Sequence, residues 1–242
     1  MAKKKIEVCF TPALYPYFEN RESIVVIVDI LRASSAICTA FMNGVSRIIP
    51  VATLEEARDL KNKGYLVAAE RDGIVRDFAD FGNSPFNFTA ERVRGKHIVY
   101  STTNGTQAIQ LASSSYRVVI GSFLNFSAVN NYIIKENRDV LILCAGWKNR
   151  FNLEDTLFAG ALAERLVESG RFDTQCDAAV AAMELWNVAK ADLLGFIEKA
   201  AHRHRLKRLG LDDVLEYTHT LNITDVVPLL RGDMLFGHRE GQ

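Results

Sequence analysis

SIVVIVDI, residues 23–30, is a near-continuous run of β-branched residues ending on an acid. A strand with one face in water alternates apolar and polar side chains. A strand covered on both faces has no such need, and this run predicts one in a largely parallel sheet with helices on either side. The neighbouring sequence agrees. ASSAICTAFMNG (33–44) predicts a helix that Gly44 ends, and RIIPVA (47–52) a second strand. Thr53 and Glu56 form a T-x-x-E capping box opening LEEARDLKNKG (54–64). YLVAAE (65–70) is a further strand ending on an acid, and KHIVYS (96–101), YRVVIGS (116–122) and DVLILCAG (139–146) follow, each succeeded by a helical pattern. From about Asn152 the chain is mostly helical, with VVPLLRGDMLF (226–236) read as one late strand or hairpin. Strands alternating with helices predict an α/β fold.

The chain has 242 residues, 48% hydrophobic, enough for a sizeable core. Lys+Arg and Asp+Glu are 29 each, so the net charge is zero and wholesale nucleic-acid binding is not expected. Any anion site must be local. The basic start MAKKKIEVCF has no apolar h-region behind it, which argues against a signal peptide. No apolar stretch reaches the roughly 20 residues that span a bilayer. Cys9, Cys38, Cys144 and Cys176 form no C-x-x-C pair, so reduced thiols in a cytoplasmic protein are expected.

VYSTTNGTQAI (99–109) sets four hydrogen-bonding side chains, Ser101 to Asn104, between an apolar run and a glycine. The next strand starts about ten residues on, which suits a crossover helix and not a tight hairpin. The loop therefore falls at a strand's carboxyl end, where open α/β sheets bind ligands. It reads either as an anion cradle or as ordinary helix capping. Asp29, Glu70 with Arg71, Ser122 with Asn125, and Cys144-Ala145-Gly146 also close strands. In a parallel sheet they would share one edge, where acids suit Mg²⁺ and arginines and hydroxyls suit phosphate. Glu154 and Asp155 open a long helix; charge–dipole interaction explains them, and a metal site is the other reading. Cys144 and Arg150, spaced C-x-x-x-x-x-R, match the loop of cysteine-dependent phosphatases, but bulky Trp147 and the lack of Ser/Thr after Arg150 favour a packed thiol. HRHRLKR (202–208) reads as a basic helix end stopped by Gly210. P-loop and dinucleotide fingerprints are absent.

VVIVDILRASSAI, AERDG followed by FGNSP, VYSTTNGTQAI, IGSFLNFSAV and CAGWKNRFNLEDTLFAG, with LKRLGLDDVLEYT and VVPLLRG at the tail, resemble in this order the 2-phosphosulfolactate phosphatase (ComB) family. The likeness covers nearly the whole chain. It implies a three-layer α/β/α fold of two similar intertwined halves around a mixed, largely parallel sheet, forming a single unit over 1–242. It implies a Mg²⁺-dependent phosphatase that converts 2-phospho-3-sulfolactate to 3-sulfolactate and phosphate on the route to coenzyme M. The positions carried over are Asp29, Arg32, Glu70 and Arg71 for catalysis. For the substrate and its phosphate they are Ser34, Ser35, Asn83, Ser84, Ser101, Thr102, Thr103, Asn104, Gly105, Thr106, Ser122, Asn125 and Gly146. Asp29, Glu70, Glu154 and Asp155 are the metal candidates. Two departures bear on substrate choice: Asp72-Gly73 stands where the family usually has two glycines, and VRDFADF (75–81) differs in charge. The expected partner is a small polyanionic phosphate ester, with no nucleic acid and no membrane; a homodimer is left open. The competing expectations are a non-catalytic binder of phosphorylated or sulfonated metabolites and a cysteine-dependent phosphatase using Cys144 and Arg150.

Overall fold

The run at 23–30 becomes strand β2 (Ile24–Val28), with all five side chains buried. It lies within an eleven-stranded sheet of a computed structural model that describes residues 2–241. The other strands are β1 (Lys4–Cys9), β3 (Arg47–Pro50), β4 (Leu66–Arg71), β5 (Ile74–Val75), β6 (His97–Ser101), β7 (Arg117–Gly121), β8 (Val140–Cys144), β9 (Phe172–Asp173), β10 (Val227–Arg231) and β11 (Met234–His238). Their order is β5-β4-β6-β3-β11-β10-β7-β2-β8-β1-β9. The helices are α1 (Ala33–Met42), α2 (Leu54–Asn62), α3 (Ala90–Val93), α4 (Gly105–Leu111), α5 (Phe126–Glu136), α6 (Leu153–Glu168), α7 (Asp177–Ala189), α8 (Leu193–Ile197), α9 (Ala201–Arg208) and α10 (Leu215–Thr218).

Successive side chains of β2 enter opposite cores, as the two-residue period of a strand requires. Val25 and Ile27 pack with α1 and α4; Ile24, Val26 and Val28 pack with α5, α6 and α7. Across the sheet, Val67, Ala69 and Val99 cover Ala57 of α2. Helices therefore cover both faces, the three-layer α/β/α arrangement that the sequence predicts. The Thr53–Glu56 capping box opens α2 with both reciprocal hydrogen bonds formed. The late apolar segment is a hairpin, β10–β11, turning at Gly232-Asp233 with Gly232 at φ +62°. Strand β1 was not anticipated, because its lysines and glutamate mask a short run of inward-facing Ile6 and Val8.

One expectation needs correction. The strand-end residues do not lie along one parallel edge. Strands β4, β6 and β3 form one parallel block, and β7, β2, β8, β1 and β9 another. The hairpin sits between them, antiparallel to β3 on one side and to β7 on the other. Three antiparallel pairings in succession make the blocks run in opposite senses. Six strand steps separate β4 from β2. At about 20–25° of twist per step, the sheet turns through roughly 120–150° between them, enough to swing opposed carboxyl ends toward each other. Helices α1 and α4 fill the space enclosed by that curl. Among the described residues no helix is long and apolar enough to cross a membrane, and all four cysteines are free.

Candidate active site

The carboxyl ends of the two blocks meet around a cleft of about 20 Å³ that Asp29, Arg32, Glu70, Asn83, Asn104 and His202 help to line. Bonds across it tie the blocks together. Lys148 N–H, after β8, donates to Asn104 Oδ1, after β6, at 3.0 Å, and Lys148 Nζ pairs with Asp72, after β4, at 2.8 Å.

Asp29 follows β2 at the turn into α1. Its Oδ1 accepts from Ala33 N–H at 3.1 Å, and Ser34 Oγ donates to its carbonyl at 2.8 Å. Oδ2 is left on the cleft side. A Cβ on Gly105 would come within 2.9 Å of this Oδ2, so only glycine lets the β6–α4 loop approach so closely. Burial raises the Asp29 carboxyl to about 6 against the pull of the Ala33 N–H. Arg32 is 4% exposed and lines the same cleft, yet its guanidinium has no hydrogen-bond or ion-pair partner among the described residues. Burial pushes its pKa down, while the charges of Glu70 and Asp29 favour the cation.

Three more buried polar atoms near this cleft lack partners: Asn83 Oδ1, the Tyr100 hydroxyl and Glu154 Oε2. Tyr100 is fully buried and lies close enough to Asp29, Glu70 and Arg32 for their charges to act on it. Buried polar groups are almost always satisfied, so a cluster of exceptions marks a place built for something else.

The four acids divide into two kinds. Glu70 is held by the main chain: Oε1 accepts from Thr103 N–H at 2.9 Å and Oε2 from Gly73 N–H at 2.7 Å. Asp155 is held likewise, taking Ile30 N–H at 2.9 Å and Gly146 N–H at 3.1 Å. Burial and the nearby charges of Glu154 and Asp29 push Asp155 well above the usual carboxylate range. Glu154 has one oxygen on His202 Nδ1 at 2.8 Å and the other free. Burial would raise it, but the hydrogen bond and charge of His202 outweigh that and hold it below its ordinary value. Among the described residues no three acid, histidine or cysteine side chains form a ready chelate. Of the four acids, only Asp29 and Glu154 keep a carboxylate oxygen with no hydrogen-bond partner among the described residues, Oδ2 and Oε2.

Many of the expected anion ligands are already engaged. Ser35 Oγ bonds Ile30 carbonyl and Ser122 Oγ. Asn125 holds Ser122 N–H and the carbonyls of Ile120 and Val226. Thr102 and Thr106 exchange hydroxyl and main-chain bonds, and Ser101 Oγ takes Arg71 Nη2 at 3.0 Å. Arg71 also bonds the carbonyls of Glu70 and Ala52. So Ser101–Thr106 does join a strand to a helix, but within it Asn104 and Gly105 are the residues beside the cleft and Asp29. Ser84 caps no helix with its side chain and precedes the short turn at Pro85. Gly146 sits at φ +61° against the Arg150 carbonyl, a place with no room for a side chain.

Asp72, the departure from glycine, adopts φ +58°, which asparagine and aspartate tolerate best after glycine. It gains the ion pair to Lys148 in exchange. Cys144 is fully buried among apolar side chains, and burial pushes its thiol well above its ordinary value, while Arg150 is exposed. That placement contradicts a thiolate nucleophile. Cys144→Ala should therefore keep turnover within a few-fold of wild type while losing some thermal stability. Abolished turnover in a folded variant would restore the cysteine mechanism.

His202, Tyr100 and Trp147 were not among the expected site residues. His202 sits in a basic run on α9, 48 residues from Glu154. Its ring packs on Trp147 at 5.4 Å, and Arg205 lies over the same indole at 3.5 Å. Only a contact across the fold distinguishes this histidine from the solvated ones beside it.

A family model described as 2-phosphosulpholactate phosphatase matches residues 9–233. A Caldanaerobacter subterraneus protein named probable 2-phosphosulfolactate phosphatase is 36% identical over 219 residues, which cover 89% of this chain and 90% of the relative. A Thermotoga maritima protein of the same name is 39% identical over 205 residues, covering 85% and 88%. One from Clostridium acetobutylicum is 36% identical over 206 residues, covering 84% and 87%.

Proposed function

The chain belongs to the 2-phosphosulpholactate phosphatase family, a family of phosphoric monoester hydrolases, and from that premise we propose that it hydrolyses 2-phospho-3-sulfolactate to 3-sulfolactate and phosphate with Mg²⁺. The observation that carries the reading is Arg32: a buried guanidinium with no protein partner, facing a cleft with Asp29. A desolvated cation of this kind is costly unless an anion completes it. A phosphate does so with the planar, two-pronged match that guanidinium favours.

Water and the ester give the alcohol and inorganic phosphate; the ester P–O bond breaks and a P–O bond to water forms. Arg32 binds a non-bridging phosphate oxygen and keeps the group in line. Asp29 Oδ2 and Glu154 Oε2, the two unpartnered carboxylate oxygens, are the atoms that would hold Mg²⁺, which would offset charge on the transferring phosphoryl group. Tyr100, whose hydroxyl is unpartnered, and Asn83, which lines the cleft and can donate from Nδ2, supply donors to the remaining oxygens. The substrate's acid groups would supply the anion that Arg32 lacks, which needs no net basic charge on the chain. The reaction belongs to the coenzyme M biosynthetic type, and the free cysteines suit the reducing cytoplasm.

Phosphate release from 2-phospho-3-sulfolactate tests this. With millimolar Mg²⁺ turnover is expected. EDTA should remove it and added Mg²⁺ restore it. Turnover unchanged by EDTA would exclude the metal, and none under any condition would exclude the substrate.

A further inference from the structure

The cleft's volume, about 20 Å³, is close to that of a single ordered water, whereas pockets for small organic ligands measure about 300–1,000 Å³. A phosphorylated, sulfonated three-carbon acid does not enter it as it stands. What closes it is α9. His202 and Leu206, one turn apart, face the cleft from that helix, and Arg205 rests on Trp147 beside it. Just beyond α9, Leu209 lies where a Cβ on Gly73 would meet it at 3.1 Å, so the cover reaches the turn after β4.

The cover is built to move as a piece. Arg203, 8% exposed, binds Glu198 and Asp212 at 2.9 Å each, and all three residues belong to the segment itself. These bonds hold the segment together without fastening it to the sheet. Within 198–212 the buried side chains are Ala200, His202, Arg203 and Leu206, with Leu211 partly packed on the core, so few apolar groups fasten the segment. Helix α6, by contrast, buries a full stripe from Leu157 to Leu166. An element with few buried apolar contacts opens at low cost. His202 marks the working end. Its Nδ1 is committed to Glu154 Oε1 at 2.8 Å, which leaves Nε2 as the ring edge for the cleft it lines.

We propose that residues 198–212 form a lid that swings out to admit the substrate and, on closing, brings the His202 side chain against it. The proposal rests on the phosphatase reading for the identity of that substrate, but the motion does not. Closing then also seats Glu154 through the His202 bond, so that the site is complete only when the lid is shut.

Amide hydrogen exchange on the full chain tests the lid, alone and with Mg²⁺, inorganic phosphate and 3-sulfolactate. Peptides from 198–212 should exchange at least about tenfold faster than those of α6 in the free protein, and slow about tenfold with the three additions. Exchange as slow as that of α6 in the free protein overturns the lid. So does protection of 101–106 by the additions with 198–212 unchanged. His202→Asn tests the contact, because its amide replaces Nδ1 toward Glu154 but lacks the Nε2 edge. KM should rise by about 10–100-fold, more than kcat falls, with Tm unchanged. A lowered Tm with KM unchanged makes His202 structural and overturns the contact. The same preparations are assayed for phosphate release. Turnover with an immobile 198–212 overturns the lid and leaves the phosphatase standing. Absent turnover with a mobile segment that phosphate alone protects overturns the substrate and leaves the lid.

Discussion

Asp29→Asn lowers turnover by about 100-fold or more while raising the stability of the metal-free protein at neutral pH. The loss follows because the amide keeps the Oδ1 acceptor for Ala33 N–H but presents no anionic oxygen to the cleft. The gain follows from burial. The carboxyl rises from 3.8 to about 6 in the folded protein, so its charge costs roughly 3 kcal/mol once ionised. The sign is fixed by linkage: between those two values the folded state keeps a proton the unfolded state has lost. Wild-type stability therefore falls as pH rises from about 4 to 6, and the full penalty persists above that. In EDTA the variant should melt above wild type at pH 7.5, and the two should converge toward pH 4. Wild-type kinetics at limiting and saturating Mg²⁺, or a variant melting well below wild type at pH 7.5, would remove Asp29 from the role given to it.

Glu70→Gln should damage both stability and activity, for a different reason. Both Glu70 oxygens accept main-chain N–H groups, those of Thr103 and Gly73, and thereby clamp the β6–α4 loop to the turn after β4. A glutamine has one acceptor oxygen and one amide that only donates, so one of these half-buried N–H groups faces another donor. Leaving such a group unsatisfied costs about 1–3 kcal/mol, which lowers Tm by roughly 2–12 °C in a chain of this size. Freed from the clamp, Asn104 and Gly105 no longer sit against Asp29, and displacement of about 1 Å at a catalytic group costs about 100-fold. Differential scanning calorimetry and kcat together check this. Activity lost with Tm intact would mean that Glu70 acts on the substrate and not on the loops.

Much of the architecture is legible in residue patterns alone. The unbroken β-branched run at 23–30 specifies a strand buried on both faces, because a half-exposed strand would not tolerate it. The Thr53–Glu56 pair fixes a helix start, and Gly232-Asp233 a hairpin, since each satisfies its geometry with neighbours in sequence. Asp29 at a strand end, with Arg32 three residues on, was likewise visible. Patterns of this kind encode which faces are buried and where elements stop. They carry no information on strand order or on partners far along the chain. The opposed senses of the two parallel blocks arise because the last hairpin inserts between them, and hydrophobic period is the same for either direction. Ser35, Ser122, Asn125, Thr102 and Thr106 have the same side chains whatever they bind, and only the folded structure shows them bonded within the protein. That both oxygens of Glu70 and of Asp155 accept main-chain N–H groups is likewise invisible before folding. Arg32 differs from Arg71 in one respect, the absence of a partner, and a missing neighbour is a property of the folded structure that no local sequence can hold.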